Sequence, residues 1–271
     1  FGVLLVNGHT DAMMIPFIEY KGRTVIYMAD LLPFSGWGMT QDGSKMVVAQ
    51  GYGYAVHSAR TGAKLFSVNP TNYYYGNTAS ISPQGDRVAY WTGAGSLPGN
   101  ALKVANLDGS NVVHVMNGTP YAVVQGITWS PDGTQLCALA NFGKLHVVKA
   151  DGTNLRTVLP ASWFSSARWS ADGKSLWVCH SSGVGGKYDP CRYDLATNSL
   201  ANGGQPFTNL QAVSGGIFNP YHFGLSPDGS AFYASSNGSL WRVPVDGSAP
   251  TKLAPCPING GAVRAIWAAA N

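Results

Sequence analysis

Short apolar runs alternate with polar turns along most of the chain. Each run has about four residues rich in β-branched, aromatic or aliphatic side chains, which is typical of short β-strands bounded by turns. The clearest runs are Lys45-Met46-Val47-Val48, Arg87-Val88-Ala89-Tyr90, Gln135-Leu136-Cys137-Ala138, Ser175-Leu176-Trp177-Val178 and Ala231-Phe232-Tyr233-Ala234. The pattern therefore predicts an all-β fold.

One type of polar turn precedes every one of these runs. Its full form is Ser130-Pro131-Asp132-Gly133. Proline presets φ for the first turn position, aspartate bonds its own backbone, and glycine takes a positive φ. The other copies begin at Thr40, Ser82, Ser170 and Ser226. These Ser/Thr anchors follow one another at intervals of 42, 48, 40 and 56 residues, which is typical of a repeat architecture.

A second turn lies further on in each repeat. Its copies are Asp108-Gly109-Ser110, Asp151-Gly152-Thr153 and Asp246-Gly247-Ser248, with looser forms at Thr61-Gly62 and Thr197-Asn198. Asp-Gly between two apolar runs favours a β-hairpin. Each repeat is therefore predicted to form four antiparallel strands, as in one blade of a β-propeller.

The two ends of the chain together supply a sixth repeat. Ile266-Trp267-Ala268 has the pattern of another first strand, and residues 1–35 contain the strand-like runs 3–6, 13–18 and 24–28. We expect a single propeller domain over residues 1–271. It has six blades: five lie in residues 36–265, and in the last blade residues 1–35 pair with the C-terminal inner strand 263–271 and close the ring.

The Ser-Pro-Asp-Gly turn, its following strand and the Asp-Gly hairpin together resemble the TolB-type, WD-like propeller repeat over about residues 36–271. The resemblance implies an interaction module, free-standing or attached to an enzyme. It carries no common set of catalytic residues that transfers to this chain.

Residues 1–35 resemble an internal piece of a metallo-β-lactamase-fold hydrolase, through Val6-Asn7-Gly8-His9-Thr10-Asp11 and Tyr27-Met28-Ala29-Asp30-Leu31-Leu32-Pro33. The resemblance implies that His9 and Asp30 match metal-ligand positions. The His-x-His-x-Asp-His cluster of that family is missing from the sequence, and a hydrolytic zinc site needs at least three protein ligands. We therefore expect no metal and no cofactor. Chance similarity and a chimera, natural or engineered, stay open as explanations.

Composition favours a secreted or periplasmic all-β protein, because charged residues make up only 11% and glycine and proline number 34 and 16. The net charge is +4, and the sequence contains no run of Lys and Arg, so we expect no nucleic-acid binding. Because the sequence has no long apolar stretch, we also expect no membrane insertion. A monomer is expected. Cys137 is predicted to be a core residue, and a disulfide between Cys179 and Cys191 is left open.

Catalysis is not expected from these residues. The six histidines are scattered along the sequence. Most acidic residues fall in the repeat turns, where capping the turn accounts for them. No Gly-x-Ser-x-Gly nucleophile turn occurs, and no excess of acids marks the loops that would line a central metal site.

Aromatic residues recur in the segments that lead into the first strand of each blade, which gather near the channel mouth of a propeller. The candidate ligand-binding residues are Trp37, Tyr73, Tyr74, Tyr75, Tyr121, Trp163, Phe164, Tyr221 and His222, with Phe34 and Phe218 nearby. Such rings suit sugar faces or peptide side chains. The alternative is that they pack between blades, as we expect for Trp129, Trp169 and Trp267.

The sequence thus predicts a non-catalytic binding scaffold of the TolB type, with a protein or peptide ligand at the channel mouth. A carbohydrate-binding propeller that uses the aromatic loops is the second hypothesis. An engineered or chimeric propeller with no evolved ligand and a metal-dependent hydrolase are further alternatives.

Overall fold

The structure of the chain is a computed structural model. It describes residues 2–6, 13–20, 23–26, 37–40, 44–50, 53–68, 79–92, 101–117, 124–140, 144–158, 163–181, 188–202, 205–213, 223–226, 229–236 and 239–255. Within these residues the secondary structure consists of β-strands and one α-helix. The predicted all-β class is therefore confirmed.

Five sheets have four strands each, and the strands of each sheet pair antiparallel in chain order. Sheet 1 contains β4 (Trp37–Met39), β5 (Lys45–Gln50), β6 (Gly53–Ser58) and β7 (Lys64–Val68). Sheet 2 contains β8 (Ala79–Ile81), β9 (Arg87–Thr92), β10 (Ala101–Asn106) and β11 (Val113–Asn117). Sheet 3 contains β12 (Val124–Trp129), β13 (Gln135–Ala140), β14 (Leu145–Lys149) and β15 (Arg156–Val158).

The second half of the chain follows the same plan. Sheet 4 contains β16 (Trp163–Trp169), β17 (Ser175–Ser181), β18 (Tyr188–Asp194) and β19 (Ser199–Asn202). Sheet 5 contains β20 (Phe223–Leu225), β21 (Ala231–Ser236), β22 (Ser239–Pro244) and β23 (Thr251–Pro255). Helix α1 (Gln205–Val213) lies in the connection between them. A separate three-stranded sheet contains β1 (Gly2–Val6), β2 (Met13–Tyr20) and β3 (Arg23–Ile26).

Contacts divide the chain into two compact units. Sheets 1, 2 and 3 belong to the unit that includes Asp30–Pro160, and sheets 4 and 5 belong to the unit that includes Ala161–Trp267. The four-stranded repeat expected from the sequence is thus present in both units. The predicted closing strand, 263–271, lies outside the described residues, so the sixth blade and ring closure stay predictions.

A buried hydroxyl organises the first turn of every four-stranded sheet. In sheet 2, Ser82 Oγ accepts a hydrogen bond from the amide of Arg87 at 3.0 Å, and the amide of Ser82 donates to the carbonyl of Arg87 at 2.8 Å. The same amide-to-hydroxyl bond joins Lys45 to Thr40, Gln135 to Ser130, Ser175 to Ser170 and Ala231 to Ser226, at 2.9 to 3.0 Å. The turn therefore fastens the first strand to the second.

The first turn of each sheet also contacts its hairpin turn, which joins the third and fourth strands. The amide of Leu107 donates to the carbonyl of Asp86 in sheet 2, and that of Ala150 to Thr134 in sheet 3. Equivalent bonds join Ala59 to Ser44, Leu195 to Lys174 and Val245 to Ser230. Both turns therefore lie at one end of each sheet, which we call the turn end. The opposite end, where the first strand begins, is the loop end.

Apolar side chains fill the spaces between neighbouring sheets of the first unit. Between sheets 1 and 2 the buried residues include Val47, Tyr54, Ile81, Val88 and Tyr90. Between sheets 2 and 3 they include Leu102, Val104, Val124, Leu136 and Val148. This packing provides the main hydrophobic stabilisation that single sheets lack.

Polar contacts fix how sheet 3 lies against sheet 2. The indole N–H of Trp129 donates to the carbonyl of Ser80 at 2.9 Å. The guanidinium of Arg87 donates to the carbonyl of Gly133 at 2.8 Å, and its Cζ lies 5.1 Å from the centre of the Trp129 ring. Trp129 is therefore a core residue, as predicted, with its one donor satisfied.

Two features differ from the expectations or refine them. Helix α1 was not predicted, because the strand and turn patterns say nothing about the long connection in which it lies. The strand register bears on the open question of a Cys179–Cys191 disulfide. Cys191 lies opposite Val178, and Cys179 lies opposite Pro190. Neighbouring positions of a strand face opposite sides of the sheet, so this register does not favour the disulfide.

Replacing Gly229 by alanine is expected to destabilise the protein by about 2 kcal/mol. Gly229 has a φ of 65°, and an added Cβ would lie 2.5 Å from Ala171 Cβ and 3.0 Å from the Ala171 amide nitrogen. The measurement is the free energy of unfolding in urea. Gly126→Ala is the control, because its Cβ would lie 3.9 Å from Leu139 Cβ, an ordinary contact. Equal effects of the two substitutions would contradict the prediction.

Candidate functional site

Three of the residues predicted to bind a ligand lie in described strands, at the loop ends of sheets 1 and 4. Trp37 is the first residue of β4 and pairs with Val48. Trp163 is the first residue of β16 and pairs with Ser181. The remaining candidates, apart from Phe164, lie outside the described residues: Tyr73, Tyr74, Tyr75, Tyr121, Tyr221 and His222. Phe34 and Phe218, with His9 and Asp30, lie outside them as well.

Phe164 is the one predicted site residue whose side chain the structure describes. It is the second residue of β16, opposite His180, and only 3% of it is exposed. A ring so deeply buried packs inside the protein and offers no free face to a ligand. For Phe164 the structure therefore favours the packing alternative. Trp169, predicted to be core, is also buried.

The first strands of sheets 1, 2 and 3 are neighbours. Strand β8 contacts both β4 and β12. At the turn ends, Gly85 of sheet 2 lies against Thr40 of sheet 1, and the side-chain Nε2 of Gln84 donates to the carbonyl of Asp132 in sheet 3 at 3.1 Å. Since the turn ends are adjacent, the loop ends of these three sheets lie side by side. Trp37 begins β4 at one of these ends. In the sequence, the segments that carry Tyr73–Tyr75 and Tyr121 lead into β8 and β12, which begin at the other two.

The acidic side chains that the structure describes are all at the turn ends. In sheet 3, Asp132 accepts hydrogen bonds from Ser130 Oγ at 2.5 Å and from the amide of Thr134 at 3.0 Å. In the hairpin of the same sheet, Asp151 accepts from Thr153 Oγ1 at 2.6 Å. The others are Asp86, Asp108, Asp172, Asp194 and Asp246, each hydrogen-bonded within its own turn.

These hydrogen bonds lower the pKa of every one of these carboxyl groups. For Asp132 the largest cause is the bond from the Ser130 hydroxyl, and for Asp172 it is the bond from the Ser170 hydroxyl. For Asp194 it is the amide of Thr197. The carboxylates are therefore held ionised by their turns, which is the opposite of what a general acid requires.

Two of the described histidines, His57 and His146, also make local contacts. His57 is buried, and its Nδ1 donates to the carbonyl of Gly62 at 3.0 Å, because a carbonyl oxygen only accepts. His146 Nδ1 lies 3.2 Å from Thr157 Oγ1, and burial lowers its pKa. Among the described residues, no three His, Cys, Asp or Glu side chains are grouped in a way that would hold a metal ion.

Three contacts in the described part of the chain escaped the sequence analysis. Arg87 reaches Gly133, which lies 46 residues further along the chain. Gln84 stands where other repeats have aspartate, and it bonds the next sheet instead of its own turn. Asn209 of α1 donates to Gly247 and Ser248 of sheet 5. Only the contact of Asn209 was indicated in the sequence, by the unusual length of the connection in which α1 lies.

Comparisons with known proteins identify the fold but no family. No family model and no curated protein matches the sequence. TolB from Acinetobacter baumannii is similar in structure, with a TM-score of 0.60 at 15% identity over 94% of this chain and 66% of that one. A putative TolB from Agrobacterium tumefaciens has a TM-score of 0.55 at 14% identity over 84% and 82%.

An enzyme shares the same fold. The oligogalacturonate lyase from Vibrio parahaemolyticus has a TM-score of 0.59 at 11% identity, over 89% of this chain and 74% of that one. The fold is thus that of a β-propeller related in shape to TolB. The same fold occurs in enzymes and in proteins without catalytic activity, because function depends on the particular site that a fold carries. None of these findings supports a hydrolase fragment or a chimera in residues 1–35.

Stability is expected to fall as the pH drops below about 4, the ordinary range of an aspartate. The turn carboxyls have a lowered pKa in the folded state, so their stabilisation is complete above that range. It is lost as the pH falls through the folded-state pKa. Urea unfolding at pH 7, 4 and 3 measures the decline, which Asp132→Asn should make shallower. Constant stability from pH 7 to 3 would show that the turns do not depend on ionised aspartates.

Proposed function

We propose that the chain is a non-catalytic binding scaffold of the TolB type, which holds a protein or peptide at the loop ends of its sheets. The observation that carries this proposal is the separation of chemistry between the two ends. The carboxylates that the structure describes all serve turns at the turn ends. At the loop ends, the sequence supplies mainly aromatic, amide and hydroxyl side chains. The exception in the described strands of sheet 4 is Asp189, which lies opposite His180 near the loop end.

Several features of this proposal come from the sequence. The scaffold is a six-bladed propeller whose last blade combines residues 1–35 with the strand 263–271. It is secreted or periplasmic and monomeric. None of the helices among the described residues has both the length and the apolar character needed to cross a membrane. The ligand residues are those named above, with Trp37, Trp163 and the Tyr73–Tyr75 run first among them.

A glycan is the second candidate ligand. Tyr73, Tyr74 and Tyr75 follow Asn72 and precede Gly76 and Asn77. Apolar ring faces beside amide groups suit sugars, and neighbouring aromatics in an extended chain face opposite sides, which makes them difficult to bury together. A metal-dependent hydrolase has less support, because its acids would have to come from outside the turns. A propeller with no evolved ligand is the remaining alternative.

Tyr74→Ala and Trp163→Ala are expected to weaken ligand binding at least about tenfold, as at the centre of an interface. The probes are a displayed peptide library and a panel of neutral oligosaccharides, with dissociation constants measured for the best binder of each. Leu155→Ala is the control, because Leu155 is 50% exposed beside the outer strand of sheet 3. A weaker peptide complex supports the first proposal and a weaker sugar complex the second. Binding that neither substitution changes would contradict both.

Deletion of residues 1–35 is expected to abolish the cooperative unfolding transition or to cause aggregation. The reason is that β1, β2 and β3 would be lost, so that the predicted closing strand 263–271 would have no partner in the sixth blade. The measurement is reversible thermal unfolding beside the full chain. An unchanged transition would mean that the segment is separable and does not complete a blade.

A further inference from the structure

Sheet 4 is longer at its loop end than the other four-stranded sheets. Its first, second and third strands, β16, β17 and β18, each have seven residues, and the corresponding described strands of the other sheets have at most six. Strand β17 ends eleven residues after its anchor, Ser170, whereas the second strands of the other four sheets end ten residues after theirs. Sheet 4 therefore has one additional row of paired residues at its loop end.

The additional row consists of Trp163, Ser181 and Tyr188. Ser181 of the middle strand β17 lies opposite Trp163 of β16 and opposite Tyr188 of β18. Residues directly opposite each other in antiparallel strands lie on the same face of the sheet. Two aromatic residues therefore flank a small hydroxyl residue on one face. Tyr188 is not among the candidates that the sequence predicts.

The buried ring of Phe164 belongs to the opposite face of the sheet. The next row pairs His180 with Phe164 and with Asp189, and neighbouring positions of a strand face opposite sides. The packing that buries Phe164 therefore does not account for the presence of Trp163 and Tyr188.

The face that carries the additional row packs against sheet 5 nearer the turn end. Ser181 and Trp177 are four positions apart in β17 and so share this face. The ring of Trp177 meets that of Phe232 in β21 edge to face, with centres 5.5 Å apart. Strand β21 ends at Ser236, so no described strand of sheet 5 has a row that corresponds to Ser181. The additional row thus lies at the loop-end rim of the packing between sheets 4 and 5.

The spacing of Trp163 and Tyr188 matches the repeat of a polyproline II helix. Neighbouring strands are about 4.8 Å apart, so β16 and β18, with β17 between them, are about 9.5 Å apart. A polyproline II helix has three residues per turn and rises about 3.1 Å per residue, so positions i and i+3 lie on one side about 9.3 Å apart. Two prolines three positions apart therefore have the spacing of the two aromatic residues.

The chemistry of the row also suits a proline-containing segment. Tryptophan is a donor only, serine and tyrosine have hydroxyl donors, and proline offers a carbonyl acceptor but no N–H. The row contains no Asp, Glu, Lys or Arg, and neither does the next row on this face, which consists of Ser166, Cys179 and Pro190. Both rows also lack the amide groups that would hold several hydroxyls of a sugar. An uncharged, acceptor-rich peptide is therefore the better match.

We propose that the loop end of sheet 4 is a subsite for an extended, proline-containing peptide, in which Trp163 and Tyr188 contact two prolines three positions apart. This inference rests on the proposed function and names the chemical class of its ligand. Proline-rich segments suit aromatic-lined grooves, because the free segment is already extended and loses little entropy on binding.

The probe that tests the inference is a synthetic peptide with two prolines three positions apart. One comparison peptide has the prolines two positions apart, and two others have alanine in place of the first or the second proline. Titration calorimetry with the full chain measures the dissociation constants. The constant should be about tenfold higher for each comparison peptide, because only one aromatic residue is then contacted by a proline.

Tyr188→Ala should raise the dissociation constant of the probe about tenfold, and Tyr188→Phe, which keeps the ring, about threefold. Asp189→Asn is the matched control and should leave binding unchanged, because Asp189 follows Tyr188 in β18 but lies on the opposite face. The effect of Tyr188→Ala should disappear with the single-proline peptide that lacks the proline at Tyr188. A purely structural role of Tyr188 would weaken all the peptides equally. Urea unfolding checks that each variant is folded.

Equal affinity for the two proline spacings would overturn the inference, and so would probe binding that Tyr188→Ala does not weaken. If the proline peptides do not bind, but another peptide or an oligosaccharide does and Trp163→Ala weakens it, the inference fails while binding at the loop ends stands. If none of these probes binds, the proposed function fails as well.

Discussion

The buried hydroxyl at the end of each first strand is the interaction on which the rest of the structure depends. Each of these hydroxyls accepts a hydrogen bond from the backbone amide five residues further on. The residues that carry them are all buried: Thr40, Ser82, Ser130, Ser170 and Ser226. An unsatisfied buried polar group costs about 1–3 kcal/mol. The turn must therefore close in this one way, and its closure sets the register between the first and second strands.

The turn of sheet 2 shows that the hydroxyl matters more than the acid beside it. Gln84 replaces the aspartate of the other turns, and Asp86 takes over the hydrogen bond from the Ser82 hydroxyl at 2.7 Å. Gln84 is then available to bond the carbonyl of Asp132 in the next sheet. The same turn thus fastens its own strands and, with Arg87, fixes the neighbouring sheet.

Local sequence determines what could be predicted. The hydroxyl, the turn glycine and the strand after them fall within ten residues, so the five four-stranded sheets follow from the repeat alone. Burial of Trp129 follows from its place on a first strand. The bond from Arg87 to Gly133 spans 46 residues, and no local pattern reports it. Helix α1 has neither an acid in its first turn nor a base in its last, so the common signals for helix ends are missing.

The candidate site is harder to predict than the sheets, because its residues lie outside the repeated turn motifs. At the turn ends, hydrogen bonds within a few residues hold the anchor hydroxyls and the described aspartates, which leaves these groups little freedom to bind a ligand. The sequences of the loop-end segments show no turn motif that recurs from repeat to repeat. The structure buries Phe164, which shows that an aromatic residue at a loop end also serves packing. The division between packing and binding must therefore be argued residue by residue.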